Sequence, residues 1–233
     1  MKDFILSYIS MIISNLKGEQ WELDRKIPLK YLLNLILIRW IMRLRGLILL
    51  PLFSPRAYVG KNVSIHCNSK FRFGKNLTIG SYSYLNALSE GGIILGNNVS
   101  MGEYTTIKCS GTYINIGKGL IVGNNVGLGS NCFFGAAGGI EIGDDTIFGN
   151  LVSIHSENHN FNNSNLPIRL QGVNRIGVII GNNCWIGAKS TILDGAIIAD
   201  NVIIAAGSVV LKGDYKSNSI YGGNPARFIK YIS

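Results

Sequence analysis

Aliphatic residues recur at every sixth position over long stretches of this chain. An amphipathic helix would place them three or four apart and a half-buried strand two apart, so neither explains the spacing. The longest unbroken series is Ile180, Ile186, Ile192, Ile198, Ile204 and Val210. A period of six is typical of a hexapeptide β-helix. Three hexads close one triangular coil of 18 residues, and successive coils stack as parallel strands about 4.8 Å apart.

A short polar motif accompanies this series: an aliphatic residue, a glycine, and an Asn or Asp two places after the glycine. Asn and Asp tolerate the positive φ that a tight corner needs, and their side chains can bond to the local backbone. Alanine replaces the glycine in the last copy. The seven copies are VGKNVSI (59–65), FGKNLTI (73–79), LGNNVSM (95–101), VGNNVGL (122–128), IGDDTIF (142–148), IGNNCWI (180–186) and IADNVII (198–204). We predict an all-β fold, a parallel β-helix built from hexapeptide repeats.

The hexad frame is interrupted at several points, which predicts insertions at corners of the coil. It restarts at Ile116 and again at Ile142. The largest insertion is polar, rich in asparagine, and covers residues 155–178. Loops of this length are uncommon in compact domains and are usually functional, so this one is the best candidate for an active-site loop.

The hexad pattern is absent from residues 1–57, which we predict to form a helical arm. Within this arm, residues 29–53 are strongly apolar but contain three arginines, too many charges for a helix that spans a membrane. Two alternatives stay open: a helix lying on a membrane surface, or a helix packed on the coil. The β-helix itself is predicted over 58–212, followed by a short C-terminal tail over 213–233.

Composition narrows the set of partners. Only 15% of the 233 residues are charged, which predicts that other subunits cover part of the coil. The net charge of +9 favours an anionic partner, such as a phosphorylated cofactor or an anionic membrane surface. We expect no nucleic-acid partner, because no basic–aromatic stripe or nucleic-acid motif is present.

The cysteines and the N-terminus bear on the cellular compartment. Cys67, Cys109, Cys132 and Cys184 show no paired spacing, so we interpret them as reduced residues of the core. The apolar segment 4–13 has a single preceding lysine and no following small-residue cleavage site, unlike a signal peptide. We therefore expect a cytoplasmic protein, at the inner face of the membrane if the arm binds lipid.

Two of the three histidines, His155 and His159, lie at the start of the large insertion. A histidine can take a proton from a hydroxyl at neutral pH, but the spacing alone favours the alternative, a polar loop residue. Glu157 is close enough in sequence to orient one of them. The third, His66, precedes His155 by 89 residues, about five coils or roughly 24 Å, whereas zinc ligands lie at about 2 Å. We expect no metal.

From residue 142 to residue 229 the chain resembles the left-handed β-helix acyltransferases, most nearly the sugar and polysaccharide O-acetyltransferases of the maltose and galactoside acetyltransferase type. The matching segments are HSENHNF, PIRLQG, VIIGNNCWIGAKSTILDGAII, AAGSVV and GGNPARFIK, in that order. The resemblance implies a left-handed coil, a homotrimer and an acetyl-CoA groove between adjacent subunits. The chain departs from the family after Lys212, where GDYKSNS replaces a proline-bearing turn, and at Leu211, where the family often has Thr.

The resemblance also implies roles for single residues. The catalytic histidine of the family corresponds to His159, with His155 as the alternative. The positions that match the acetyl-CoA site are Trp185 in the channel, Ala188 and Ala206 beside the pantetheine arm, and Lys212, Arg227 and Lys230 near the phosphates. The implied activity is direct acetyl transfer from acetyl-CoA to a hydroxyl of a surface glycan or its lipid-linked precursor. The alternatives are N-acetylation of an amino sugar or nucleotide sugar, and a noncatalytic trimeric scaffold.

Overall fold

The structure is a computed structural model, and it describes residues 2–17, 20, 22–50 and 56–232. These residues form two compact units, Met1–Met42 and Arg43–Ser233. The predicted arm is helical in α1 (Lys2–Lys17) and α2 (Leu29–Leu49). The last residues of the predicted apolar stretch, from position 51 onward, lie outside the described residues. Within the described residues, neither helix has the length and hydropathy needed to cross a membrane.

The first unit has a small core of its own. Leu6, Leu23 and Leu32 are buried against one another. The hydroxyl of Ser10 accepts a hydrogen bond from the Leu23 N–H at 3.0 Å, which ties the segment between the helices to α1. This core uses very little of α2, and most side chains of that helix are exposed to solvent.

The second unit begins with the end of α2 and otherwise consists of short strands and two 3-10 turns, Asn68–Lys70 and Ile168–Leu170. Its strands are β1 (Ala57–Val59), β2 (Ser64–His66), β3 (Phe71–Phe73), β4 (Leu77–Ile79), β5 (Tyr84–Asn86), β6 (Ile93–Leu95), β7 (Ser100–Met101), β8 (Thr106–Lys108), β9 (Leu120–Val122), β10 (Gly127–Leu128), β11 (Phe133–Gly135), β12 (Ile140–Ile142), β13 (Ile147–Phe148), β14 (Ser153–His155), β15 (Asn158–His159), β16 (Val173–Asn174), β17 (Val178–Ile180), β18 (Trp185–Ile186), β19 (Thr191–Leu193), β20 (Ala196–Ile198), β21 (Val202–Ile204), β22 (Val209–Val210), β23 (Gly213–Tyr215), β24 (Ser219–Gly222) and β25 (Arg227–Tyr231).

Three parallel sheets form the three sides of a coil. The first side contains β1, β4, β7, β10, β13, β18, β21 and β24, the second β2, β5, β8, β11, β14, β19 and β22, and the third β3, β6, β9, β12, β17, β20 and β23. The chain visits the sides in this order, so it completes seven coils and begins an eighth. The final strand, β25, folds back antiparallel on β24. The fold is the predicted left-handed parallel β-helix.

The aliphatic series points inward, as predicted, and its members stack one coil apart. The stacked pairs are Ile180–Ile198, Ile186–Ile204 and Ile192–Val210. All six side chains are at most 1% exposed. Burying each contributes roughly 1.5–3 kcal/mol, so the continuous column is the main source of stability of the coil.

The polar motif has the predicted backbone but a different pattern of side-chain bonds. The Asn or Asp two places after the glycine has a φ between 51° and 60° in all seven copies. We predicted bonds to the local backbone, whereas the described bonds of these side chains include a ladder that runs from coil to coil. Asn98 accepts from Asn76 at 3.0 Å and donates to Asn125 at 2.9 Å. An amide carries both a donor and an acceptor, so it can link equivalent positions above and below it.

One part of the predicted frame was wrong. Ile116 does not restart the inward series, because it lies in the loop between β8 and β9. The inward series resumes at Leu120 and Val122, which are buried.

The cysteines agree with the prediction. All four are free thiols; Cys109, Cys132 and Cys184 are buried and Cys67 is half-buried. Burial raises the pKa of the Cys109 thiol to about 12, which keeps it protonated and unreactive.

Candidate active site

The large insertion leaves the coil at the second corner, where the chain turns from the second side to the third. It occupies the positions between β14 and β17. One coil further on, Asp194 and Gly195 alone make the same turn. The insertion is folded: β15 and β16 form an antiparallel ribbon in which His159 lies opposite Val173. This ribbon holds His159 in a defined position.

A buried carboxylate fixes the point where the insertion rejoins the coil. Asp194 is 1% exposed, and its Oδ1 accepts hydrogen bonds from the N–H groups of Ile176 at 3.0 Å and Gly177 at 2.7 Å. Asp194 is not among the site residues predicted from sequence. The sequence feature that could have indicated it is its position, because Asp194 lies at the second corner of the coil that follows the insertion.

An ion pair fixes the other strand of the insertion. The Arg175 Nε lies 2.9 Å from the Glu157 carboxylate, and both side chains are largely buried. Arg175 also donates to the backbone carbonyls of Asn115 at 3.1 Å and Ile116 at 3.3 Å in the loop two coils below. The suggested role of Glu157 in orienting a histidine is therefore replaced by a role in holding the insertion.

Gln171 organises the outer part of the insertion. Its amide donates to the carbonyls of Asn163 at 2.8 Å and Leu166 at 2.7 Å, and its Oε1 accepts from the Asn163 N–H at 3.0 Å. Asn160 in turn donates to the Gln171 carbonyl at 3.0 Å. The side chains of Asn160 and Asn163 thus bond within the insertion, since Asn163 Oδ1 accepts from the Asn165 N–H at 3.0 Å.

The two histidines of the insertion have different surroundings. His155 ends β14 and its ring lies 5.3 Å from that of Phe133, centroid to centroid. Desolvation lowers the pKa of His155, which keeps the imidazole neutral to a lower pH. His159 is exposed on the ribbon four residues further on. Either imidazole is accessible to a substrate that approaches the second corner.

The third histidine lies on the same column as His155 but far below it. Strand pairing runs from His66 through Asn86, Lys108 and Gly135 to His155. These are four coil steps, about 19 Å at the strand spacing, where the sequence predicted five. The difference arises because corner insertions add residues without adding coils. Among the described residues no group of three or more His, Cys, Asp or Glu side chains could hold a metal ion.

Three of the residues matched to the acetyl-CoA site lie on the first side and the first corner. Trp185 points outward from β18 and is 52% exposed. Ala188 and Ala206 occupy the same first-corner position in successive coils, where the Gly207 N–H donates to the Ala188 carbonyl at 2.9 Å. Small side chains there leave the backbone open to an approaching molecule.

The basic residues divide between two places. Arg227 and Lys230 are exposed on β25, which extends the first side, and Lys230 pairs with Ile220. Lys212 instead follows the second side and lies over Gly195 at the second corner. It therefore shares its corner with the histidines.

Comparison with known proteins agrees with this architecture. Residues 177–212 match the family of bacterial transferase hexapeptide repeats (six repeats). An Escherichia coli K12 protein named as a lipopolysaccharide biosynthesis O-acetyl transferase, WbbJ, is 28% identical over 71% of this chain and 74% of its own. A Mycobacterium tuberculosis protein named as an acetyltransferase, Rv3034c, is 27% identical over 74% of this chain and 49% of its own. The chain thus contains the hexapeptide repeats of bacterial transferases and is similar over most of its length to proteins named as acetyltransferases.

Solved structures support the fold. A mutant of AntD, an N-acyltransferase from Bacillus cereus in complex with dTDP and coenzyme A, superposes with a TM-score of 0.57 at 24% identity, over 70% of this chain and 84% of AntD. The chain spans about half the length of its mycobacterial relative.

Within one subunit the residues matched to the acetyl-CoA site and the histidines do not all come together. The first corner, at Ala188, and the second corner, at Asp194, are separated by the width of the second side. Six residues at about 3.3 Å each put them roughly 20 Å apart. The histidines and Lys212 are therefore near one corner, whereas Trp185 and the two alanines are near another.

Proposed function

We propose that the protein is an acetyl-CoA-dependent O-acetyltransferase that modifies a sugar hydroxyl of a surface glycan or its lipid-linked precursor. The observation that carries the proposal is the position of His159 on a ribbon braced at its base by Asp194 and by the Arg175–Glu157 pair. Bracing of this kind serves a residue that must be held in place for chemistry. The name of the Escherichia coli relative supports a glycan as the acceptor.

The first side and first corner fit an acyl-CoA donor. Ala188 and Ala206 leave room for the amide-bearing pantetheine arm, and the exposed indole of Trp185 offers an apolar wall beside it. At the end of the coil, Arg227 and Lys230 supply the cations that suit phosphate groups. Acetyl-CoA provides the activated thioester, and these residues of the protein would bind and orient it.

The two corners become one site when a second copy is added. In this proposal the first corner of one subunit faces the second corner of its neighbour in a homotrimer. His159 of one subunit then meets Trp185 of the next. A shared cleft of this kind would also bury part of the outer surface of the coil between subunits. This agrees with the low fraction of charged residues, 15%.

His159 acts as the general base in this mechanism. Its imidazole takes the proton of the sugar hydroxyl while the oxygen forms a bond to the acetyl carbonyl carbon. Backbone N–H groups near Trp185 and Ala188 stabilise the oxyanion. The carbon–sulfur bond then breaks, and the imidazolium returns the proton to the thiolate. His155, which desolvation keeps neutral, is the alternative base.

The test is acetyl transfer from labelled acetyl-CoA to glycan fractions. The His159→Ala variant should lose about 10²–10⁴-fold in rate. The matched control is His66→Ala, which removes an exposed histidine four coils away on the same side and should leave the rate unchanged. Label released by mild base marks an ester, whereas stable label marks an amide and N-acetylation. An active His159→Ala variant together with an inactive His155→Ala variant would transfer the role to His155.

A mixing experiment tests the shared cleft. His159→Ala and Trp185→Ala subunits, each weakly active alone, should recover activity when unfolded and reassembled together, because mixed trimers contain intact clefts. Failure to recover activity in verified mixed trimers would contradict a shared site. A protein that binds no acetyl-CoA at all would be the noncatalytic scaffold.

A further inference from the structure

Helix α2 exposes an apolar surface that no described part of the chain covers to any large extent. Of its 21 residues, only Leu32 and Gly46 are buried. One row of large side chains is 39–81% exposed and spaced by four, four, three and four residues, so it follows one face of the helix. This α2 stripe consists of Leu33, Leu37, Ile41, Leu44 and Ile48. Water is a poor environment for so continuous an apolar surface.

The charges of α2 are all of one sign. The helix contains Lys30, Arg39, Arg43 and Arg45 and no acidic residue. At 100° per residue, Arg43 and Arg45 fall on opposite sides of the α2 stripe. Arg43 is half-buried and donates to the Ala57 carbonyl at 3.4 Å. Arginines in such positions can keep their guanidinium groups at a polar boundary while the stems lie along an apolar phase. Trp40, which is also exposed, lies at the edge of the stripe, where an indole suits a membrane–water interface.

We propose that the α2 stripe docks on the surface of an anionic lipid bilayer. A second copy of α2 would complement the apolar row but would bring arginines together without any acidic partner. An anionic bilayer offers an apolar interior for the stripe and negative head groups for the Arg45 guanidinium at its flank. The helix lies in the surface, because no described helix is suited to crossing the membrane. The anionic leaflet that faces the cytoplasm is the surface we assign.

The inference does not rest on acetyl transfer, and its test needs neither acetyl-CoA nor an acceptor. The full chain is floated with vesicles of phosphatidylcholine, with and without phosphatidylglycerol. The wild-type protein should bind the anionic vesicles and bind the neutral ones more weakly. The Ile48→Glu variant should bind anionic vesicles about tenfold more weakly or worse. The matched control is Ile114→Glu, the same change at a fully exposed isoleucine of the coil, which should bind like the wild type.

The contribution of positive charge to vesicle binding is tested by a second pair of variants. Arg45→Gln should weaken binding to anionic vesicles by about fivefold, with little change on neutral ones. Arg72→Gln, at an exposed position on the third side of the coil, should have no effect on either.

A fluorescence measurement keeps the test decisive if a stripe variant misfolds. In a Trp21→Phe, Trp185→Phe background the remaining Trp40 should shift to the blue on anionic vesicles. An unshifted emission, or no flotation of the wild-type chain, overturns the proposal. It is also overturned if Ile48→Glu lowers the mass in solution while vesicle binding is unchanged, because a second copy would then cover the stripe.

Discussion

The Asp194→Ala variant tests how the coil holds its insertion. Removal of the carboxylate leaves the N–H groups of Ile176 and Gly177 without their acceptor. A buried N–H without a partner costs about 1–3 kcal/mol. Ile176 is 45% exposed, so water can replace its bond, whereas Gly177 is half-buried. We therefore expect the free energy needed to detach this junction from the coil to fall by about 2 kcal/mol. The equilibrium constant for local opening then rises about thirtyfold.

The effect should be local and is measured by hydrogen exchange. Peptides that cover residues 173–178 should exchange about thirtyfold faster in Asp194→Ala, while peptides from the first coils keep their protection. The rate of acetyl transfer should fall too, because Val173 pairs with His159 across the ribbon. Asp194→Asn keeps an acceptor oxygen at the same place and should change both quantities much less.

Asp214→Ala is the matched control, since it removes an exposed aspartate from the third side near the end of the coil. Its exchange pattern should match the wild type throughout. If residues 173–178 exchange at the wild-type rate in Asp194→Ala, the carboxylate does not hold the junction. Uniformly faster exchange along the whole coil would likewise refute a local role.

Three further outcomes are expected. Ile186→Ala should lower the free energy of unfolding by about 2–5 kcal/mol in chemical denaturation, whereas Ile121→Ala on the outer surface should change it by less than about 1 kcal/mol. Asn98→Ala removes two ladder bonds at a φ of 57° and should cost about 1–3 kcal/mol, and Asn98→Gly should cost less because glycine accepts that φ. Since desolvation lowers the pKa of His155 from its ordinary 6.5, stability should fall as pH drops below about 6.5, and melting curves of His155→Asn should show a smaller fall.

The fold could be predicted from sequence because every coil repeats the same local requirement. An inward aliphatic residue is needed at each hexad, and a residue that accepts positive φ is needed at each corner. Ile180 and Ile198 meet that requirement in register, so the strand pairing follows from their spacing alone. The prediction that Ile116 points into the coil was wrong because an aliphatic residue at the expected interval can also lie in a loop.

The construction of the candidate site could not be predicted, because it depends on contacts between distant residues. Arg175 reaches a carbonyl 60 residues earlier in the chain, and Asp194 binds a segment 17 and 18 residues before it. No local pattern marks such pairs. The insertion itself was evident as an interruption of the hexad frame, but only the structure gives its ribbon and the pairing of Glu157 with Arg175.

The geometry of the coil restricts how an acyltransferase of this fold can assemble its site. Each side is a stack of strands that keeps its two corners apart, so no movement of one coil brings Ala188 to the corner turned by Asp194. A flexible insertion could bridge that distance, but this insertion is tied down at Glu157 and Asp194. In the proposed ring of three subunits, the first corner of each subunit would face the second corner of its neighbour. Because the braces hold His159 at the outer edge of its own coil, we propose that the opposite wall of the site comes from a neighbouring subunit.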